Sequence, residues 1–337
     1  MQNPSSILAD TAIRELFTNS AIRAQSPLDS DQIQPASLDL RLGATAYRIR
    51  ASFLPGPKRE VEALLTAPLV MHKIDLRKGA VLETGCIYLV PLLESLHLPA
   101  DISGRANPKS STGRIDVFTR VICDRSASFD SIPAGYKGPL YIEVCPRTFS
   151  ILAREGDRLS QLRLRCGPPA SVTAAQTQTV SICLPKQGLA GYRAKRHCAV
   201  LDLSKPGSHK QADFWEPLAT KDGYLILDPG EFYILASKEN IRIPADMAAE
   251  MAPIATDIGE FRVHYAGFFD PGFGTGNALS KAVLEIRGRD VPFLLGDGQS
   301  IARLVFEPMQ SQPAALYGSG GSSHYQGQGL KLSKLFC

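Results

Sequence analysis

The chain has 337 residues, enough for two ordinary domains, each with its own core. Hydrophobic residues make up 44% and charged residues 21%, a globular composition that excludes a disordered chain. Lys and Arg exceed Asp and Glu by 37 − 33 = 4, too small and dispersed a surplus for duplex nucleic acid but compatible with a compact anionic ligand.

Taken in chain order, residues 5–22 place Ile7, Leu8, Ile13, Leu16 and Phe17 at helical spacing, with Ser5 or Ser6 as cap. A short N-terminal helix is expected there. Beyond Pro27, short apolar runs alternate with Gly, Pro and Asp turns. They fall at 37–42, 87–92, 117–123, 140–144 and 159–164, then at 224–227, 232–236, 261–265, 282–286 and 300–306. This spacing predicts a mainly β chain of sandwich or barrel type. Gly167-Pro168-Pro169 opens a polar stretch through Thr179 that has no clear period. The expected domains are therefore 1–180 and 190–337. From Gly318 the chain is glycine-rich and is expected to be mobile until a ligand orders it.

Seven Cys occur without a pairing pattern or a C-x-x-C, which suggests a reducing compartment, small buried thiols and no structural zinc. The N-terminus lacks a signal-peptide pattern, and no apolar run reaches the roughly 18 residues of a membrane span. A cytoplasmic protein with no membrane partner is expected.

The chain also repeats itself. Residues 82–101 read LETGCIYLVPLLESLHLPAD, and residues 227–246 read LDPGEFYILASKENIRIPAD, with 7 identities in 20 at an offset of 145. Phe129-Asp130 then matches Phe269-Asp270, Glu143 matches Glu285, Arg147 matches Arg289, and Gly156 matches Gly298. One segment differs in chemistry. The first copy has Lys109-Ser110-Ser111-Thr112-Gly113-Arg114 where the second has Pro253-Ile254-Ala255-Thr256-Asp257. Hydroxyls and N–H groups of such a Gly/Ser turn can cradle phosphate, while Lys and Arg neutralise its charge. A solvated surface loop is the competing reading.

Strand alternation sets Tyr141, Glu143 and Cys145 on one face, where a partly desolvated carboxylate approaches the range of a general base. An outward Glu is the simpler alternative, but Glu285 recurs at the matching place. Asp270 stands in an Asp-Pro-Gly turn, with an aromatic, glycine-rich approach able to form a slot for a flat ring. The tail His324-Tyr325-Gln326-Gly327-Gln328-Gly329 reads either as a loose terminus or as a lid.

These motifs together resemble the dCTP deaminase branch of the dUTPase-like superfamily, in its long bacterial form with two such domains in one chain. The run 109–114 is similar to the family's Arg-Ser-Ser-x-Ala-Arg, with Lys and Gly substituted. Residues 35–43 resemble its early strand, 156–162 its Gly-x-x-x-x-Gln-Leu, 265–274 its Gly-x-Ile-Asp-x-Gly, and 325–328 its nucleotide-covering tail. The resemblance covers about 30–165 and 220–337. It implies two tandem dUTPase-like (β-clip) domains, distorted β-barrels or jelly rolls, behind a short N-terminal helix.

By the same resemblance, dCTP is hydrolysed to dUTP and ammonia. Glu143 or Glu285 acts as base, Ser110 and Arg114 orient water and base, and Lys109 and Ser111 hold phosphates. Gln161, Asp270, Tyr325, Gln326 and Gln328 complete the substrate-binding set. Mg²⁺ is expected on the triphosphate. No catalytic zinc is expected, since the zinc deaminases' His-x-Glu and Pro-Cys-x-x-Cys are absent. A homo-oligomer and inhibition by dTTP are further expectations. Because the second copy lacks the Ser-Ser-x-x-Arg turn, the site is expected to be composite, with the turn from one copy and Asp270, Glu285 or the tail from the other. The alternatives are a bifunctional enzyme that continues to dUMP, since dUTPases share the fold and use an Asp near this place, and a non-catalytic nucleotide-binding duplicate.

Overall fold

The computed structural model describes residues 5–167, 177–253, 261–263, 267–276, 279–319 and 324–337. Strands dominate, and the two halves repeat one arrangement. In the first, Lys137–Pro146 runs antiparallel between Val117–Cys123 and Ile87–His97, and Arg158–Cys166 runs between Ile102–Pro108 and Ser37–Arg41. In the second, Lys281–Gly288 runs between Phe261–Val263 and Phe232–Asn240, and Ser300–Pro308 runs between Met247–Pro253 and Thr177–Ser181.

The register carries the sequence repeat into space. Glu143 pairs with Leu89 and Glu285 with Ile234, and 234 − 89 = 145, the offset of the repeat. The same test rejects one match. Ile132 pairs with Gly104, and Phe269 pairs with Ala249, again 145 apart. Phe269 therefore takes the place of Ile132, and Asp270 that of Pro133, so Asp130 is not the counterpart of Asp270. Asp130 instead accepts from the Val121 N–H at 2.7 Å in a left-handed turn.

The N-terminal helix is shorter than expected, Asp10–Thr18, with Ala9 at its N-cap and no side-chain cap. Ser6–Ile7 is a strand paired with Arg165 and Cys166, because an open sheet edge offers that backbone hydrogen bonds. Ser20, at φ +58°, ends the helix, and Ile22–Ala24 joins Ile87–His97. The halves also exchange segments across the expected boundary. Thr177–Ser181 belongs to the second copy's sheet, while Leu201–Asp202 lies parallel to Ile151–Ala153 of the first. Phe214 and Trp215 fill the first core, with Phe232, Ile234 and Val283 beside them. Residues 168–176, where the polar link was expected, lie outside the described residues, as do 254–257 of the second copy's altered run and 264–265 of an expected strand.

The terminus from 324 is not loose. Leu332 and Leu335 enter the first core, and the Phe336 ring meets Phe214 at 5.5 Å and Trp215 at 5.9 Å. A glycine-rich composition hid this apolar anchor, whose three side chains are spaced along only five residues. Of the seven Cys, all free, only Cys123 and Cys145 are buried, so the expectation of buried thiols holds for two. No helix among the described residues is long and apolar enough to cross a membrane.

Candidate active site

The run after Ile102–Pro108 forms a short helix, Ser110–Gly113, rather than an open turn. Arg114 follows it, buried, and is held on three sides by the C-terminal segment. Its guanidinium donates to the Gln328 side-chain carbonyl at 3.0 Å and to the Lys331 carbonyl at 2.9 Å, and it stacks 3.9 Å from the Tyr325 ring. Burial pushes the pKa of Arg114 down, while Tyr325, Glu285 and Tyr317 oppose that shift. Ser333 Oγ donates to the Ser111 carbonyl at 3.0 Å, tying the tail to the same helix.

A cavity of about 340 Å³ opens at this helix, a size suited to a small-molecule site. Of the eleven residues the sequence singles out, nine line it: Lys109, Ser110, Ser111, Arg114, Gln161, Asp270, Glu285, Tyr325 and Gln328. The first copy supplies the helix and Gln161, the second supplies Asp270 and Glu285, and the tail closes the rim. Glu285 is buried on Lys281–Gly288, and a Cβ at Gly113 would overlap its carboxylate oxygens, so the two copies are in close contact here.

Asp270 is buried against Arg163 of the first copy, which donates to its carboxylate at 3.3 Å and to the Ala249 and Phe269 carbonyls at 3.0 and 3.2 Å. Burial raises the Asp270 pKa, and Arg163 opposes the rise. Phe268, Phe269, Phe273 and Tyr317 make the aromatic wall, with Phe269 and Phe273 edge to face at 5.2 Å. Such a wall is suited to a flat ring.

Two of the eleven lie elsewhere. Glu143 is buried, so it is not an outward Glu, and it does not line this cavity. Its carboxylate accepts from Arg120 at 2.7 and 3.1 Å, and Arg120 in turn stacks 3.7 Å from Phe129. A partly desolvated carboxylate was expected there; Tyr141 of the same face and Leu89 opposite Glu143 belong to a separate apolar cluster with Ile49 and Val61. Gln326 holds the turn after Asp270, accepting from the Gly274 N–H at 3.0 Å and donating to the Gly272 and Thr275 carbonyls.

Sequence reasoning missed the cavity's charged end. Lys109 is paired with Asp39, and Arg158 donates to Asp31 at 2.8 Å and to Asp39 at 3.5 Å. Lys334 and His324 complete the cluster, with pKa values lowered by burial and by neighbouring cations, Lys109 among them. Asp157, also in the wall, is pushed up to about 6 by burial. Asp39 lies inside the early-strand motif and His324 inside the tail motif, so both were in view. What their type alone did not show is that strand pairing with Gln161 sets Asp39 in the cavity wall, and that the folded-back tail sets His324 there too.

Comparisons with known proteins point to one family. The sequence profile of the 2'-deoxycytidine 5'-triphosphate deaminase (DCD) N-terminal domain matches residues 4–168, and that of the DCD C-terminal domain matches 157–336. A dCTP deaminase of Haemophilus influenzae is 30% identical over 143 residues, 40% of this chain and 70% of that protein. A dUMP-forming dCTP deaminase of a Parafrankia species is 33% identical over 171 residues, 49% of this chain and 78% of that one. The crystal structure of 2'-deoxycytidine 5'-triphosphate deaminase from Agrobacterium tumefaciens is 52% identical, with a TM-score of 0.87, covering 92% of this chain and all of that one. A mainly β chain, two copies of one arrangement, a shared cavity and these matches lead to one assignment: the chain belongs to the dCTP deaminase family.

Proposed function

We propose that the chain is a dCTP deaminase that converts dCTP and water to dUTP and ammonia. The observation that carries this reading is the convergence of Glu285 from the second copy with the 109–114 run of the first in one cavity. Glu285 takes a proton from water as the oxygen attacks C4 of cytosine. The C4–N3 π pair moves to N3, which takes that proton from Glu285. Glu285 then takes the remaining proton of the C4 hydroxyl and passes it to N4; C4=O forms as the C4–N4 bond breaks, and N4 leaves as ammonia. Ser110 and Arg114 orient the water and the base, and the tail's grip on Arg114 holds its charge in place before reaction. Glu143, already ion-paired to Arg120, has no part in this step.

Lys109 and Ser111 bind the triphosphate, whose charge draws Lys109 from its pairing with Asp39. Mg²⁺ arrives on the substrate. No resident zinc is invoked, in keeping with the absent zinc-deaminase motifs. Gln161, Asp270, Tyr325 and Gln328 surround sugar and base, while Gln326 acts through the Gly272–Thr275 turn it holds. dTTP, with the same triphosphate and sugar, is proposed as an inhibitor, and a homo-oligomer as the working assembly.

Asp270 in the same cavity favours a second reading, continuation to dUMP and pyrophosphate by water attack on the α-phosphate. One assay separates the outcomes. The chain is incubated with dCTP and Mg²⁺, and the products are resolved. dUTP with ammonia supports deamination, dUMP with pyrophosphate supports the bifunctional reading, and unchanged dCTP refutes both.

A further inference from the structure

Glu285 and Arg287 are two residues apart on Lys281–Gly288 and so project to the same side of the strand. Arg287 crosses to the first copy. Its guanidinium donates to the Asp116 carboxylate, to Thr148 Oγ at 2.8 Å and to the Gly230 carbonyl. Thr148 Oγ also donates to Asp116 Oδ2, at 2.5 Å. Asp116 is fully buried, in left-handed backbone at φ +55°. Its N–H donates to the Gly113 carbonyl at 2.9 Å, at the end of the Ser110–Gly113 helix, and its carbonyl accepts from the Arg147 N–H. One buried residue thus joins the strand bearing Glu285, through its carboxylate, to the helix that Glu285 must face, through its backbone N–H.

We infer that Arg287, Asp116 and Thr148 are positioning residues, a clamp between the copies that fixes the Glu285 carboxylate against Ser110–Gly113 and Arg114. The inference rests on the deaminase reading and deepens it. The fit is close enough for small shifts to matter, since Gly113 has no room for a Cβ beside Glu285. Misplacing a reacting group by 1 Å can cost about 10²-fold in rate.

A clamp differs from simple adhesion between the halves, and the chain supplies its own control. Arg165 pairs with Glu307 across the same two copies, at equivalent strand positions, without a link to the helix. The test is steady-state turnover of dCTP with Mg²⁺ by the full chain, with melting temperature measured alongside. Asp116→Asn is expected to lower kcat about 10- to 100-fold with KM within about threefold. Thr148→Val should lower kcat several-fold, and Thr148→Ser, which keeps the hydroxyl, should restore it. The Arg165→Met/Glu307→Gln variant should melt earlier yet keep kcat within about twofold. If Asp116→Asn does not fold, the two Thr148 variants decide. Unchanged kcat in Thr148→Val, or an equal fall in the control variant, overturns the clamp while leaving the deaminase reading intact. Absence of dCTP turnover by the unsubstituted chain overturns both.

Discussion

Arg163 offers the sharpest test of how the two copies are joined beneath the cavity. It is 1% exposed, lies 4.1 Å from the Phe268 ring, and donates to Asp270 and to two carbonyls of the second copy. Arg163→Met keeps much of the aliphatic volume but leaves a buried carboxylate without its cation. Breaking a buried pair in this way costs about 3–5 kcal/mol. Asp270→Asn alone costs about 1–3 kcal/mol, because a neutral amide still accepts from Arg163. Independent sites would add. Here the double variant is expected to be less destabilised than the sum by about 2 kcal/mol, since an amide in place of the carboxylate removes the unpaired charge.

Arg163 is also the chief group opposing the rise in the Asp270 pKa. Without it that pKa climbs further above its unfolded value, so the penalty of Arg163→Met grows with rising pH and shrinks in acid. The assay is urea unfolding followed by the fluorescence of Trp215, the single Trp, buried in the first core. Additive losses, or a loss under about 1 kcal/mol for Arg163→Met, would refute the reasoning.

Leu335→Ala should loosen the tail anchor by about 2–5 kcal/mol, exposing the terminus to proteolysis and raising the KM for dCTP at least several-fold; an unchanged KM would mean that the tail does not support Arg114. A second expectation concerns Asp130, half-buried, whose carboxyl is pushed up to about 7 mainly by burial. The folded pKa lies above the unfolded value, so this group's contribution to stability is lost as pH rises from about 4 to 7. Asp130→Asn keeps the acceptor for Val121 and suits the left-handed backbone. Relative to the parent it should gain about 1–2 kcal/mol between pH 5 and pH 8, allowing for partial exposure, and a difference flat with pH in urea unfolding would contradict this.

Periodicity and turns located the strands well: Val117–Cys123 and Tyr224–Leu227 match the expected bounds, because both are short apolar runs flanked by strong breakers. The helix start was misplaced because Ser6 and Ile7 find hydrogen bonds on a sheet edge made by residues 165 and 166, a contact no local pattern records. That both copies line one cavity was legible from the missing Ser-Ser-x-x-Arg turn in the second copy. Which Glu lines it was not, since Glu143 and Glu285 share one register. They are separated by what surrounds them: Arg120 donates to the first, and the Ser110–Gly113 helix lies against the second. The salt links of Lys109 with Asp39 and of Arg287 with Asp116 are tertiary, and residue type alone does not announce them.

The central claim, that Glu285 is the base of a site shared between the copies, is tested most directly by comparing kcat of Glu285→Gln with that of Glu143→Gln on dCTP. A positioned general base is worth about 10²–10⁴ in rate. Glu285→Gln should lose that much with the fold intact, while Glu143→Gln, still able to accept from Arg120, should stay within about tenfold of the parent. Equal losses from both, or a severe loss from Glu143→Gln alone, would contradict the composite site.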